Sequence, residues 1–326
     1  MTRATSARGL LLPLVPLYRL ALALRELRLG SGLEPVRRLR FPVVSVGSLS
    51  VGGSGKTPLT IALAQALTRR GLSVDVLSRG YGRRSKEALR VDPNGAAEEY
   101  GDEPLLIARE ADVPVYVAVQ RYEAGLLAEA ALRDSNGRVV HLLDDGFQHR
   151  QLDRDVNILL MDSRDWQDHL LPAGNLREPL AAMRRASVIA IPAEDVELEI
   201  VLKAAGWRGP VWRLRRRMEV PPVDGPVVAF CGIARSEQFF AGLAEAGLHL
   251  ASRIAFADHH HYKTHDLDCI RDAARSTGAK AVFTTEKDRV RFGKLGESLP
   301  LQTARLRIEI ENEAEAFDGL VKELSF

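Results

Sequence analysis

The chain contains 326 residues, of which 46% are hydrophobic and 27% are charged. This composition is typical of a globular protein with a sizeable core, and it excludes a disordered chain, a collagen-like repeat and a coiled coil. The length favours two domains over one. The two cysteines, Cys231 and Cys269, are too few for a disulfide framework and lack a metal-ligand spacing, so a reducing compartment is expected.

Positive charge is concentrated at the amino terminus. Residues 1–40 contain eight Arg and two Glu, a net charge of +6, whereas the whole chain has a net charge of +2. A leucine-rich run over residues 10–24 lies in the same segment, but Pro13 and Pro16 interrupt it and it is too short to span a membrane. A basic arm on a mildly acidic body indicates an anionic surface as partner, either membrane or nucleic acid.

Leu17, Leu20, Leu24 and Leu27 recur at helical spacing within this arm. The pattern predicts an amphipathic helix that lies in the membrane interface. A secretory signal is one alternative, although no small-residue cleavage site follows; a helix packed on the protein's own core is another. No nucleic-acid partner is expected, because the basic residues share their segment with leucines and no aromatic stacking platform accompanies them.

A phosphate-binding loop is predicted after the first strand. The run PVVSV at residues 42–46 precedes GSLSVGGSGKTP at 47–58, and an apolar helical segment follows. Strand, glycine-rich loop, Gly-Lys-Thr and helix in this order are typical of nucleoside-triphosphate sites, where successive backbone N–H groups bind phosphate oxygens. Ser50 stands where the strict motif has glycine, although three glycines follow closely. The predicted nucleotide-binding residues are Ser50, Val51, Gly52, Gly53, Ser54, Gly55, Lys56 and Thr57.

Two neighbouring carboxylates are predicted to complete a Mg²⁺ site. The buried-strand run RVVHLL at residues 138–143 ends in Asp144 and Asp145, with a glycine after them. Carboxylates at the carboxyl end of a strand beside a phosphate loop are placed as Mg²⁺ ligands, together with the hydroxyl of Thr57. Lys56 is expected to reach the β- and γ-phosphates. ATP and Mg²⁺ are therefore the predicted cofactors, and an ordinary Asp-Gly turn is the alternative.

Two further motifs stay ambiguous on the residues alone. In GDEP at 101–104, Asp102 precedes a helical run, and an ordinary helix cap is the favoured interpretation. In LPAGNLREP at 171–179, Arg177 and Glu178 stand between two prolines in a rigid loop, which suits either a binding clamp or a surface turn.

The last third of the chain predicts a second unit. Residues 206–226 shift to Pro, Gly and Arg, which is typical of an interdomain connection, and strand-like and helical runs alternate after it. The cluster His259, His260 and His261 cannot ligate one metal, because neighbouring side chains point apart, so we interpret it as polar and a catalytic candidate. In TTEKD at 284–288 the lysine comes one place too late for the base-reading element of GTPases, which disfavours a GTPase.

These observations predict an α/β protein. We expect a basic membrane-interface arm over 1–40, a P-loop NTPase-type domain with a parallel sheet over 41–205, a linker over 206–226 and a smaller α/β domain over 227–326. No obligatory protein partner is expected.

Eight short motifs occur in an order that resembles the tetraacyldisaccharide 4′-kinases of lipid A biosynthesis: SVGGSGKTP, SRGYGR, GDEP, DDGFQHR, LPAGNLREP, FCGI, DHH and TTEKD. They extend from about residue 41 to residue 288. The resemblance implies transfer of the ATP γ-phosphate to the 4′-hydroxyl of an acylated glucosamine disaccharide 1-phosphate. It also implies a P-loop kinase domain with a smaller second α/β domain, acting peripherally at the cytoplasmic face of the bacterial inner membrane.

The resemblance also implies roles for single residues. Lys56 and Thr57 would hold the nucleotide and Mg²⁺, and Asp144 and Asp145 would serve the metal. The aspartate of GDEP, Asp102, would be the general base. A histidine of the DHH motif, His259 or His260, would support it, and the active-site rim would include Arg121, Arg177 and Glu178.

Two other functions remain open on the sequence. One is a soluble P-loop kinase or ATPase that acts on a small metabolite, with its amino-terminal helix packed internally. The other is a nucleotide-gated switch that binds a partner and catalyses little chemistry.

Overall fold

The computed structural model describes residues 8–132, 137–293, 295 and 299–324. Within these residues, twelve strands form one continuous sheet. The strands are β1 (Val43–Ser48), β2 (Ser73–Ser78), β3 (Leu89–Arg90), β4 (Val115–Val117), β5 (Val139–Leu143), β6 (Val156–Leu160), β7 (Val188–Pro192), β8 (Val211–Glu219), β9 (Pro226–Cys231), β10 (His249–Ala255), β11 (Ala281–Thr285) and β12 (Leu301–Ile310).

Helices cover the sheet. In chain order they are α1 (Val15–Gly30), α2 (Lys56–Arg69), α3 (Ala97–Tyr100), α4 (Asp102–Glu110), α5 (Arg121–Ala131), α6 (Ser163–Gln167), α7 (Val196–Ala204), α8 (Ser236–Glu245), α9 (Thr264–Thr277), α10 (Glu286–Phe292) and α11 (Glu313–Glu323). Short 3₁₀ helices span Leu12–Leu14 and Leu180–Arg185.

The strand order is β10-β9-β11-β12-β8-β7-β6-β1-β5-β2-β4-β3. All neighbouring pairs are parallel except β12 with β8 and β3 with β4. Helical crossovers between parallel strands produce this arrangement, so the predicted α/β class with a large parallel sheet is confirmed.

Strands β1–β7 and their helices form what we call the P-loop half. All six residues of β1 are buried, as expected for a parallel strand covered on both faces. Leu59, Leu63 and Leu67 of α2 are fully buried and belong to the same core cluster as Val44 and Val46 of β1. Packing of this helix on β1 fixes the direction of the loop between them, which contains the predicted phosphate-binding residues.

Strands β9–β12 with α8–α11 form the carboxyl-terminal half. Its core is rich in aromatic side chains, among them Phe230, Tyr262 and Phe292, which contact one another edge-on or tilted. The predicted parallel sheet of this region is present, since β10, β9, β11 and β12 pair parallel to one another.

The segment predicted to be a linker contains a strand of the sheet. Within residues 206–226, β8 pairs parallel with β7 and antiparallel with β12. Its alternating burial pattern reflects one covered and one open face. The two halves are therefore joined by backbone hydrogen bonds on both edges of β8, and the predicted division into separate domains stays a prediction.

Helix α1 has apolar residues on two faces. Leu17, Leu20, Leu24 and Leu27 are between 49% and 68% exposed. On the other side, Val15, Tyr18 and Leu22 pack against a core cluster of the P-loop half. The structure thus does not confirm a simple amphipathic division, because one apolar face is covered by the protein and another is open. Among the described residues, no helix has the length and apolar content needed to cross a membrane.

Candidate active site

A cleft of about 1650 Å³ opens at the carboxyl ends of the parallel strands. The loops after β1, β2, β4 and β5 line one side, and residues of the carboxyl-terminal half, including His259 and Lys287, line the other. This end of an open parallel sheet is where ligands bind in α/β proteins, because the loops and helix N-termini converge there. The cleft is therefore the candidate active site.

The loop between β1 and α2 has the backbone of a phosphate-binding loop. Gly52, Gly53 and Gly55 have φ angles of 74°, 55° and 93°, a region that side chains with a Cβ rarely adopt. Ser50 does not have a positive φ and forms an antiparallel bridge with Leu176 instead. The departure from the strict motif is tolerated because this position is extended and needs no glycine.

Lys56 begins α2 and lies over the loop. Its Nζ is 3.3 Å from the Ser48 hydroxyl, 3.2 Å from the Ser54 hydroxyl and 3.7 Å from Asp145 Oδ1. Burial lowers the pKa of Lys56, and the charge of Asp145 opposes that effect. The lysine is thus a largely buried cation held by weak polar contacts, as a phosphate ligand requires.

Arg177 clamps Asp145. Its two terminal nitrogens donate to the two carboxylate oxygens at 3.0 and 2.8 Å, and it also donates to the Ser50 carbonyl at 3.1 Å. Although burial would raise the pKa of Asp145, Lys56 and Arg177 hold it at about 2. Of the two interpretations of Arg177 that the sequence left open, the structure favours a clamp, and it ties the 171–179 loop to the phosphate loop.

Asp144 differs from its neighbour. In the part of the chain that the structure describes, no basic side chain forms an ion pair with it, and its oxygens accept from the Thr60 and Ser78 hydroxyls at 3.3 and 3.4 Å. Burial, with the charges of Glu103 and Asp145, raises the pKa of Asp144 to about 7. A buried carboxylate without a cation is a fitting ligand for Mg²⁺, which often takes one or two carboxylates plus substrate phosphates.

The donor set fits Mg²⁺ better through Asp144 than through Asp145. Asp144 and the Thr57 hydroxyl line the same cleft, whereas both oxygens of Asp145 already accept from Arg177. Over residues 8–132, 137–293, 295 and 299–324, no group of three or more His, Cys, Asp or Glu side chains could hold a metal by itself. Such a site would therefore need the nucleotide's own phosphate oxygens.

Asp102 is the first residue of α4 and is buried. Its Oδ2 lies 3.2 Å from His259 Nδ1 and accepts from Arg291 Nε at 2.7 Å, with a second, shorter contact to Arg291 Nη2. Burial would raise the pKa of Asp102, but the hydrogen bonds and charges of His259 and Arg291 lower it below its usual range. The hydrogen bond to Asp102 in turn raises the pKa of His259. The interpretation of Asp102 as an ordinary helix cap is therefore wrong: the N-cap is Gly101, and the Asp102 carboxylate is bound by His259 and Arg291.

The three consecutive histidines separate in space. His259 has a φ of 57° and a side chain that is 41% exposed at the cleft. His260 instead has its Nε2 3.0 Å from Asp266 Oδ2 and stacks on Phe256. The structure therefore brings His259, and not His260, to Asp102, and His261 is exposed.

The predicted rim residues have different surroundings. Arg121 is buried at the start of α5 and lines the cleft, and burial lowers its pKa to about 10. His149 lies near it, and burial together with surrounding arginines lowers the pKa of His149 to about 3. Glu178 is buried in an ion pair with Arg185 and is not among the residues lining the cleft.

Several contacts of the site were missed by sequence reasoning. Arg291 reaches Asp102, and Lys287 of the TTEKD motif forms an ion pair with Glu103 of GDEP. The sequence shows the GDEP and TTEKD motifs, but it gives no sign that they face each other. Nothing in the sequence pairs them, because the partners are separated by more than 180 positions.

Together the fold and the site define a P-loop kinase: a phosphate loop with its lysine, a carboxylate suited to Mg²⁺, and, across the cleft, a buried aspartate paired with a partly exposed histidine. The family model "Tetraacyldisaccharide-1-P 4′-kinase" matches residues 7–325. The chain therefore belongs to the tetraacyldisaccharide-1-phosphate 4′-kinase family.

Individual relatives agree with this assignment. The chain is 41% identical over 322 residues to the tetraacyldisaccharide 4′-kinase of Koribacter versatilis, which covers 95% of this chain and 97% of that relative. It is 40% identical over 304 residues to the tetraacyldisaccharide 4′-kinase of Geobacter metallireducens, and the match covers 85% of this chain and 86% of that relative. The crystal structure of "apo" form LpxK from Aquifex aeolicus in complex with ATP matches with a TM-score of 0.77 and 34% identity, over 98% of this chain and 100% of that chain.

Proposed function

We propose that this chain transfers the γ-phosphate of ATP to the 4′-hydroxyl of a tetraacylated glucosamine disaccharide 1-phosphate. The observation that carries the proposal is the composition of the cleft. Lys56 and Asp144 line one side, and His259, which contacts the buried Asp102, lines the other. Membership of the kinase family supplies the substrate class.

The proposed reaction is an in-line phosphoryl transfer. The 4′-oxygen bonds to the γ-phosphorus, the bond from that phosphorus to the β,γ-bridging oxygen breaks, and ADP leaves. We assign Asp102, with His259 beside it, to accept the hydroxyl proton. Lys56 and the backbone N–H groups of the phosphate loop stabilise the charge on the transferred group.

Mg²⁺ has a defined place in this proposal. The Thr57 hydroxyl and Asp144 would hold it, and when bound it would neutralise charge on the β- and γ-phosphates. Asp145 has a different role, because its contacts with Lys56 and Arg177 orient both cations toward the phosphates.

The basic wall of the cleft supports an anionic substrate. Arg121 and His149 lie together there with Arg79, and the positive charge of Arg79 adds to the shifts of both pKa values. Among the described residues, the Arg121 Nε has no hydrogen-bond partner although the side chain is buried. With a pKa of about 3, His149 is uncharged near neutral pH, so the like charges here are those of Arg79 and Arg121, which a bound anion such as the phosphate of the acceptor would stabilise.

We further propose that α1 rests on the cytoplasmic face of the bacterial inner membrane. The exposed stripe of Leu17, Leu20, Leu24 and Leu27 offers an apolar surface, and residues 1–40 contribute a charge of +6 that attracts anionic lipid. A substrate with four acyl chains stays in the bilayer, so the enzyme has to work at its surface.

The activity is tested by transfer of labelled γ-phosphate to the tetraacylated disaccharide 1-phosphate in mixed micelles, beside its de-acylated form. We expect labelling of the acylated lipid, and none with Lys56→Ala. The matched control is Lys322→Ala, an exposed lysine on α11. Labelling of a small metabolite but not of the lipid would support the soluble kinase instead. ATP binding without substrate-dependent ADP release would support the switch.

Membrane attachment is tested by flotation with anionic vesicles. Replacing the four exposed leucines of α1 by Gln is expected to abolish flotation of the folded protein. A control with four other exposed apolar residues replaced by Gln should float like the unmodified chain; these are Leu126, Leu127, Val196 and Ile200. Equal flotation of the α1 variant would overturn the proposal.

A further inference from the structure

Arg291 approaches Asp102 from the carboxyl-terminal half. It lies on the last turn of α10, and its side chain is only 7% exposed. Its Nε and Nη2 both contact Asp102 Oδ2, while its Nη2 also lies 3.1 Å from His259 Nδ1. One guanidinium therefore contacts both members of the Asp–His pair.

The orientation of this guanidinium is fixed without help from Asp102. Its Nη1 donates to the Gly232 carbonyl at 2.7 Å and to Asp288 Oδ1 at 3.2 Å. Asp288 is fully buried and is itself oriented by the Tyr262 and Thr285 hydroxyls, at 2.9 and 2.6 Å. Every one of these anchors belongs to the carboxyl-terminal half.

The same anchors place His259. The Gly232 carbonyl that accepts from Arg291 also accepts from the His259 backbone N–H at 3.1 Å. A Cβ at Gly232 would lie 3.1 Å from both the Ala257 carbonyl and the Tyr262 hydroxyl, so this backbone is closely confined. Arg291 and His259 are therefore presented to Asp102 as one rigid unit.

The charges around Asp102 come from three elements. Arg291 and Lys287 face it from α10, Glu103 lies beside it on α4, and His259 faces it from the loop after β10, which also holds Asp258. Arg291 is the cation in direct contact with its carboxylate. The other oxygen, Oδ1, accepts from the Glu103 backbone N–H at 3.1 Å.

From this geometry we infer that Arg291 is a positioning residue: it reaches across the boundary between the two halves and holds the Asp102 carboxylate against His259. The inference rests on the proposed function, since it gives Arg291 a role in that reaction. Arg291 itself is not assigned a contact with substrate.

A second arginine provides a matched control. Arg307 of β12 also belongs to the carboxyl-terminal half and also forms an ion pair with α4, through Glu110 at the other end of the helix. Its loss removes this ion pair between the halves together with ion pairs to Glu219 and Glu286, but among the described residues it has no contact with Asp102 or His259. An effect seen in Arg291→Gln but not in Arg307→Gln therefore reflects the position of the Asp102 carboxylate, and not weaker contact between the two halves in general.

The experiment measures kcat, both KM values and the pH dependence of kcat/KM for the full chain and for Arg291→Gln, Arg291→Lys and Arg307→Gln. For Arg291→Gln we expect kcat to fall roughly 10- to 100-fold with the KM for ATP within about twofold. The acid limb should move to higher pH, because the pKa values of Asp102 and His259 both rise when the cation is removed. Arg291→Lys should restore part of the loss, and Arg307→Gln should keep the original profile.

A second readout does not depend on activity. The pKa of the His259 imidazole, followed by NMR in the folded proteins, should rise in Arg291→Gln and stay unchanged in Arg307→Gln. An unchanged acid limb and imidazole pKa in Arg291→Gln would overturn the inference, and so would the same kinetic loss in Arg307→Gln. If Arg291→Gln does not fold, the same two measurements on Arg291→Lys decide, with smaller shifts expected. An unmodified chain inactive on the lipid would refute the proposed function, while the NMR titration would still test Arg291.

Discussion

On the nucleotide side of the cleft, Lys56 and Arg177 both contact Asp145, and all three belong to the P-loop half. On the acceptor side, Asp102 belongs to the P-loop half, but both side chains on its Oδ2, His259 and Arg291, come from the carboxyl-terminal half. The first group is formed by residues of one half alone. The second combines residues from both halves of the shared sheet, so the two sides should respond differently to mutation.

This difference separates binding from chemistry. Because Lys56, Asp145 and Arg177 make no contact with Asp102, we expect mutation of the acceptor side to leave ATP binding intact. On the acceptor side, by contrast, the carboxylate comes from one half and its two side-chain partners from the other, so we expect mutations at this boundary to affect proton transfer more than ATP binding. The following predictions test this division, from the largest expected effect to the smallest.

Lys56→Ala should have the largest effect. It removes the buried cation at the phosphate loop, and phosphoryl transfer relies mainly on positioning and charge neutralisation, so a loss of about 10³-fold or more in kcat is expected. Single-turnover transfer of labelled phosphate measures it. A residual rate within tenfold of the unmodified chain would mean that another cation carries this charge.

Asp102→Asn should have a smaller effect, about 10²-fold in kcat, because general base catalysis contributes less than charge neutralisation here. The KM for ATP should stay within about twofold, since the nucleotide side is assembled without Asp102. Steady-state kinetics at saturating lipid give both values. Activity equal to that of the unmodified chain would remove Asp102 from catalysis.

Arg177→Lys should reduce kcat/KM for ATP by about tenfold. Lysine keeps the charge but cannot make the two parallel hydrogen bonds to Asp145, so Lys56 loses part of its orientation. The dependence of the rate on lipid concentration should not change. Titration of ATP at a fixed lipid concentration separates an effect on ATP from an effect on the lipid. A change confined to the lipid KM would place Arg177 on the acceptor side and would contradict the division of the cleft into a nucleotide side and an acceptor side.

His141→Gln should leave activity nearly unchanged while altering stability. His141 of β5 is fully buried between Asp75, whose Oδ1 is 2.8 Å from its Nδ1, and Glu129. Burial would lower the pKa of His141, but these two carboxylates raise it to about 9. Because the folded pKa lies above the unfolded value of about 6.5, the stabilisation is fully present below about pH 6.5 and is lost as the pH rises through about 9.

Urea unfolding at about pH 6 and about pH 10 measures this effect. The unmodified chain should lose up to about 3 kcal/mol more than His141→Gln between the two conditions. Equal losses would show that His141 is not charged in the folded protein. An unchanged kcat in the variant would show that lost stability alone does not mimic the effects of Lys56 or Asp102.

The sequence by itself determined the phosphate loop. Strand, glycine-rich loop and helix are consecutive in the chain, and the conformation of each follows from its neighbours, so Gly52, Gly53 and Gly55 have the predicted backbone freedom. The α/β class followed from the same local periodicity. Motif order then indicated the family, which the comparisons confirm.

Only the tertiary structure decided the acceptor side. The sequence offered His259 and His260 equally, and a left-handed backbone at His259 with a competing partner for His260 separates them. The sequence assigned Asp144 and Asp145 the same role as metal ligands. In the structure the two carboxylates have different partners. Nothing in the sequence indicated a role for Arg291. Its contact with Asp102 joins residues 189 positions apart and depends on how β8 connects the two halves into one sheet, which no local sequence pattern encodes.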